Sequence, residues 1–331
     1  MSVVANWVEA LRTTNLGEGV TPDPVSRWLL ITRASVFPMT FFSAAIGGLL
    51  AVPSGRASLG LWALCAIGLL LAHAANNMIN DYFDLASGVD TPDYARAQYA
   101  PHPILSGLIS KRGLLTAVAV VNVLDVAIGA LLFSVRGWPI LAFAAAGFLI
   151  SYFYVAPPLR LKHHGLGEPS VFIVWGPLMV GGTYFATTGE LPGWVWGATV
   201  PYGLLVMTVL FGKHIDKIES DRAKSIHTLP VLLGEAPARR VAQGLMLLFY
   251  GVVGAQIFTG ALGLWAALVF LSIPRLVKVM RLFGRPPPEY PPKNYPVWPL
   301  WYVSAAFVLT RQAGALFAAG LLLQALVPLS L

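Results

Sequence analysis

The sequence predicts an all-α integral membrane protein with about nine transmembrane helices. Three observations carry that reading. Only 11% of the 331 residues are charged and 56% are hydrophobic, whereas a soluble domain carries about 25% charged residues. The chain supplies about nine mostly apolar runs close to the ~20 residues that cross a bilayer core. Its Lys and Arg residues gather between those runs rather than inside them.

The expected spans are 35–52, 59–80, 114–133, 138–156, 169–187, 194–211, 241–258, 261–280 and 299–327. Spans one and two are parted by Val52-Pro53-Ser54-Gly55, spans three and four by Arg136-Gly137-Trp138-Pro139, and spans five and six by Gly189-Glu190-Leu191-Pro192-Gly193. The connections on the opposite side are longer and charged. Arg311 divides the last run, which leaves a continuous helix, a broken helix or a short hairpin open there. Before it, the Pro-rich stretch 285–299, from Arg285-Pro286-Pro287-Pro288 through Pro296 to Pro299, cannot be helical throughout. Tyr290, Tyr295, Trp298 and Trp301 there are expected headgroup-level anchors. Residues 1–33, with Glu9, Arg12, Glu18, Asp23 and Arg27, form a polar segment without a signal-peptide pattern, and 34–331 form one transmembrane domain.

Of the 22 Lys and Arg residues, 19 fall on the side of the N-terminus, leaving Arg56, Arg136 and the ambiguous Arg311. The positive-inside rule makes that side cytoplasmic, in a cell membrane. The net charge of +7 is spread over these short loops with no basic stripe interleaved with aromatics. It therefore speaks for orientation and anion binding, and against a nucleic-acid partner. Cys65 is alone, which excludes a disulfide framework and a cysteine metal site.

Chemistry concentrates at the cytoplasmic ends of the second and sixth spans. The second ends with His73, Asn76, Asn77, Asn80, Asp81 and Asp84, and Asp90 follows. Positions 73, 77, 80/81 and 84 recur at three- and four-residue spacing and share one helical face. Polar groups in a membrane helix point into the bundle or a wet cavity, and carboxylates with amide oxygens are the hard ligands that Mg²⁺ takes alongside substrate phosphates. The sixth span ends with Lys213, His214, Asp216, Lys217, Glu219, Asp221 and Arg222. Arg96, Arg160 and Lys162 lie on the same side, where cations can clamp phosphate oxygens. Two acid clusters with these cations read as a metal-bridged diphosphate site. His73 is expected to be hydrogen-bonded inside the bundle, His214 and His227 to be solvated loop residues, and Asp125 to be paired within it. A transporter is the rival class, but it would need ionisable groups at mid-membrane, where only Asp125 and Arg311 are available.

These residues resemble the UbiA superfamily of intramembrane prenyltransferases. Asn80-Asp81-Tyr82-Phe83-Asp84 followed by Asp90 is similar to its first motif, with the spacing of the branch that prenylates 1,4-dihydroxy-2-naphthoate. The loop from Tyr154 to Lys162 and the stretch from Asp221-Arg222 to Thr228-Leu229-Pro230 resemble that branch too. The second motif departs from the family's Asp-x-x-x-Asp, because Lys217 stands four residues before Asp221. Ser225 replaces a usual Gly, and His102-Pro103 stands where ubiquinone-type members carry Arg-Pro. The resemblance implies a UbiA-like helical bundle that binds a prenyl diphosphate and a small aromatic acceptor, a non-quinone acceptor being the variant. It implies Mg²⁺ ions bridging Asp81, Asp84, Asp90, Asp216, Glu219 and Asp221 to the diphosphate, with Asp81, Asp84, Arg160 and Lys162 catalytic. Asn77, Asn80, Arg96, Tyr154, Lys213 and Arg222 would bind substrate, and Tyr152, Tyr154, Phe172 and Trp175 could face an allylic cation.

Overall fold

The computed structural model describes residues 2–17, 19–92, 94, 96, 99–293, 295 and 297–329; Glu18 and Pro296 lie outside them. Among the described residues every regular element is helical. Two short helices come first, α1 (Val3–Thr13) and α2 (Pro24–Ile31). Asp23 joins them, accepting the backbone N–H groups of Val25 and Ser26 and the Trp7 indole N–H at 2.9 Å. The polar segment is thus folded, and Thr14 reaches on to Ser35 at 2.7 Å.

Seven helices among the described residues are long and apolar enough to cross a membrane: Ala34–Ser54, Leu59–Ala86, Lys111–Arg136, Gly167–Thr188, Gly193–Ile215, Glu235–Phe258 and Tyr302–Leu326. We label them α3, α4, α5, α7, α8, α11 and α13. Between them lie α6 (Trp138–Phe153), α9 (Ile218–Ala223), α10 (Leu229–Leu233) and α12 (Ile273–Phe283). The seven long helices match seven of the nine expected spans, and the other two are shorter or broken helices. The fourth expected span is the 16-residue α6. The eighth divides into a 3₁₀ stretch, Leu264–Ser272, and α12, with Pro274 at the start of the latter. The last run is one continuous helix, and Arg311 lies over the Phe307 ring one turn away.

Burial orders the bundle. Within α8, 72% of the apolar window is buried, against 6% in α5, so α8 runs through the centre and α5 faces lipid. The middle of α7, Val174–Gly181, is a π-helical stretch around Pro177, whose missing N–H breaks the regular ladder. α8 and α13 approach at Gly212, where a Cβ would stand 2.8 Å from the Val303 nitrogen. That contact brings the end of α8 against the start of α13. Small residues permit such approaches in membrane bundles, where packing rather than hydrophobicity joins helices. The ends of α4 and α8, Tyr94, Arg96 and His102 from the connection after α4, the loop 154–166, and α9 gather at one end of the bundle. Asp125 on α5 has no hydrogen-bond partner among the described residues and lies beside Gly68, so the expected pairing is not found. Tyr295 and Trp301 pack on each other at 5.5 Å, while Tyr290 is exposed.

Candidate active site

The last turns of α4 carry the first cluster on one face, as the spacing predicted. Asn77 is buried and its side-chain N–H donates to the Thr32 carbonyl at 2.9 Å, tying α4 to the end of α2. Asp81 is fully buried, bonded to Arg33 and, at 3.1 Å, to Arg96. Asp84 takes Lys162 Nζ on both oxygens, at 2.8 and 2.9 Å. Past α4 the chain turns at Gly88, where φ is +73°, a conformation suited to glycine. The Val89 and Asp90 N–H groups then donate to the Asp84 carbonyl, folding Asp90 back over the cluster. Burial pushes the Asp90 carboxyl above its ordinary range, and the Asp84 carboxylate beside it adds to this against the opposing pull of Arg96.

His102 completes this side. Its Nδ1 accepts the N–H groups of Ile104 and Leu105 at 3.2 and 3.3 Å. The ring hydrogen is therefore assigned to Nε2, which faces the Asp81 carbonyl at 3.3 Å and the Asp90 carboxylate at 3.5 Å. Ligand atoms of Asp81, Asp90 and His102 lie within 4.8 Å of one another.

The second cluster divides. Asp221 is buried, accepting the Tyr94 hydroxyl at 2.5 Å and Lys217 Nζ at 3.1 Å, while Lys217 also donates to the Tyr94 oxygen at 2.8 Å. Burial disfavours the Asp221 carboxylate, but Lys217, His214, the Tyr94 hydroxyl and Lys162 together outweigh it and hold the acid below its ordinary range. Burial likewise opposes the Lys217 ammonium, and Asp221 and Tyr94 overcome it. Asp216 turns away: its carboxylate accepts the Tyr302 and Val303 N–H groups at 2.8 and 3.0 Å, at the start of α13. Glu219 is 84% exposed and pairs with exposed Arg222. Asp216, Glu219 and Arg222 are therefore not brought to the site, unlike the set that the resemblance implied. α8 ends at Ile215 and α9 begins at Ile218, which resets the faces.

Among the predicted cations, Lys162 and Arg96 are buried in the cluster and Arg160 is exposed outside it, at a φ of +41°. Lys213 is half-buried, and the charges acting on it most strongly are those of Arg33, Lys217, Lys162 and Arg96. Tyr154 accepts the Lys162 N–H on its carbonyl, and its ring lies against Gly167. Asn80 Oδ1 and Asn76 Oδ1 are buried without a hydrogen-bond partner among the described residues. His73 bonds to Thr40 at 2.8 Å and meets Trp175 edge-on. His214, expected in solvent, is buried and bonded to buried Glu168 at 2.6 Å, because it lies in the last turn of α8 rather than in a loop. His227 donates its backbone N–H to the His163 carbonyl, joining the two loops. Sequence reasoning treated Arg33 as an orienting charge and did not single out Tyr94. Both come from outside the two motifs, and only the folded chain brings them in.

The donor set fits a hard divalent cation. Asp81, Asp84 and Asp90 supply carboxylates, and the orphaned oxygens of Asp90, Asn76 and Asn80 are buried acceptors awaiting a partner. Beside the cluster lies a mostly apolar cavity of about 1100 Å³, lined by Trp28, Phe37, Phe41, Phe42, Leu70 and Val308 among others. Thr32 lines it as well and offers its carbonyl to Asn77, so cavity and cluster share a wall.

Fold and site together define a multi-pass helical membrane protein with a buried network of acids and bases at one end of its bundle. A model of the UbiA prenyltransferase family matches residues 40–293, and the chain belongs to that family. It is 26% identical over 278 residues to 1,4-dihydroxy-2-naphthoate octaprenyltransferase of Bacillus subtilis (strain 168), covering 82% of this chain and 88% of that one. It is 31% identical over 283 residues to the enzyme of the same name from Escherichia coli (strain K12), covering 80% and 88%. The chain is thus a prenyltransferase, similar to the naphthoate branch. In fold it is similar to a UbiA homologue from Aeropyrum pernix K1, with a TM-score of 0.67 at 21% identity over 88% of this chain and 98% of that one. A homologue from Archaeoglobus fulgidus bound to GPP and Mg²⁺ gives 0.61 at 16% identity, over 89% and 99%.

Proposed function

We propose that this chain catalyses Mg²⁺-dependent transfer of a prenyl group from a prenyl diphosphate to a small aromatic acceptor of the quinone-precursor type. The observation that carries this is the interleaving of four acids with four cations at one end of the bundle, joined to an apolar cavity through Thr32 and Asn77. Asp81, Asp84, Asp90 and Asp221 alternate there with Arg33, Arg96, Lys162 and Lys217. Asp81, Asp84 and Asp90 would hold Mg²⁺, which supplies Lewis-acid charge to a leaving diphosphate. Arg96 and Lys162, now paired with carboxylates, are placed to turn to phosphate oxygens as the allylic C–O bond breaks. The acceptor's electron-rich carbon forms the new C–C bond and loses a proton or a carboxyl group. The cavity's apolar walls would house the prenyl tail and keep water from the cation.

The acceptor class is supported by the two relatives named for dihydroxynaphthoate. The cation is supported by the Archaeoglobus homologue bound to GPP and Mg²⁺. The placement of 19 of 22 Lys and Arg residues on the site's side of the membrane supports a cytoplasmic active face. Mass spectrometry of products from purified protein given Mg²⁺, geranylgeranyl or longer diphosphates and a panel of aromatic acceptors tests the reading. A prenylated dihydroxynaphthoate is expected. Transfer only to a non-aromatic acceptor, or to none, would overturn it.

A further inference from the structure

The two sides of the site are unequal in what they offer a metal ion. On the α4 side Asp81 and Asp90, with His102, bring ligand atoms within 4.8 Å of one another, and the Asp84 charge acts on Asp90. On the α8 side Asp221 stands alone, because Asp216 is bound to the start of α13 and Glu219 faces solvent. Asp221 Oδ1 already holds the Tyr94 hydroxyl and Lys217 Nζ, and only Oδ2 is without a partner. Lys217 itself is 6% exposed and one turn before Asp221. A divalent ion on this side would have one carboxylate and an ammonium pressed against the same group.

We propose that the site takes a single divalent cation, on the α4 side, and that the ammonium of Lys217 is the built-in second cation facing the diphosphate. The idea rests on the prenyl-diphosphate reading above. An ammonium has three N–H donors. Two are committed to Tyr94 and Asp221, which fixes the nitrogen and leaves one for a phosphate oxygen. Lys213 stands one turn earlier on α8 and has no acid partner among the described residues. Arg33, Arg96, Lys162 and Lys217 are each paired with an acid, so Lys213 is a fifth cation that the four acids do not match. The expectation that acids of both clusters carry ions is replaced by metal charge on one side and lysine charge on the other.

The count of bound ions tests this without any turnover. Purified protein would be titrated with Mn²⁺ in the presence of geranyl thiolodiphosphate, an inert donor analogue, with bound ions counted by electron paramagnetic resonance. One Mn²⁺ per chain is expected for the natural sequence, and two for Lys217→Asp, which restores a second acid beside Asp221. Lys217→Ala should keep one Mn²⁺ while raising the KM for the prenyl diphosphate about tenfold. Two ions in the natural sequence, with spin coupling between them, would overturn the inference and leave the prenyl-transfer reading intact. No gain in Lys217→Asp would overturn the claim that Lys217 fills the second position. No bound Mn²⁺ at all would remove the metal-dependent reading and this inference with it.

Discussion

Lys162 Nζ lies 2.8 and 2.9 Å from the two carboxylate oxygens of Asp84, joining the loop after α6 to the last turn of α4 across 78 residues of sequence. Both side chains are largely buried, at 7% and 14% exposure. Removing one partner of such a pair leaves a buried charge uncompensated, which costs about 3–5 kcal/mol. Lys162→Met should therefore lower the unfolding midpoint and abolish transfer. The double variant Lys162→Met/Asp84→Leu should regain more than half of that stability and none of the activity. Thermal unfolding in detergent, run beside a transfer assay, separates the two effects.

His102 is a positioning residue, holding the Asp81 carbonyl through Nε2–H beside the Asp90 carboxylate, while Nδ1 is anchored by the loop backbone. Loss of such an outer partner typically costs about 10–100-fold in metal affinity. His102→Ala should raise the Mg²⁺ concentration for half-maximal activity about tenfold or more. His102→Gln, which retains an N–H donor, should recover part of it. A fall in kcat with unchanged Mg²⁺ dependence would count against the assignment.

Asp216 is a structural acid and should behave as one. Asp216→Ala strips two backbone N–H groups at the start of α13 of their acceptor, at about 1–3 kcal/mol, with KM for the donor unchanged. Burial pushes this carboxyl from 3.8 up to about 8. A group that holds its proton more tightly folded than unfolded adds stability that is complete below about pH 4 and is lost as pH rises through about 8. Asp216→Asn should flatten the decline in unfolding midpoint across that window. An unchanged slope would contradict the assignment.

The first cluster was legible because it sits on an unbroken helix. Over Asn77, Asp81 and Asp84 the three- and four-residue spacing translates directly into a shared face. The second was legible only as a place. The chain breaks between Ile215 and Ile218, so Asp216 and Glu219 leave the face that Asp221 keeps. Arg33, Tyr94 and His102 arrive from loops, where no periodicity says which way a side chain points. The membrane class followed from composition alone. The regularity of each span did not, because an apolar run is the same in a 16-residue helix or a 3₁₀ stretch as in one long helix.

The cavity beside the cluster carries a prediction about donor length. Ala315 lines it from α13, opposite the aromatic wall of Phe37, Phe41 and Phe42. Ala315→Trp should fill part of the cavity, raising KM for long prenyl diphosphates by about tenfold while leaving geranyl diphosphate nearly unaffected. Equal losses for both donors, measured in competition, would remove the cavity from the account.

The central claim, that the carboxylates at the end of α4 make prenyl transfer metal-dependent, meets its most direct test in Asp81→Asn and Asp84→Asn. Each keeps the side chain's shape and removes one charge. Transfer of a labelled prenyl group would be measured from zero to saturating Mg²⁺ with both variants confirmed as folded. The account predicts that each loses at least about a hundredfold in kcat/KM at every Mg²⁺ concentration. Activity matching the natural sequence in both variants, with the same Mg²⁺ dependence, would contradict it.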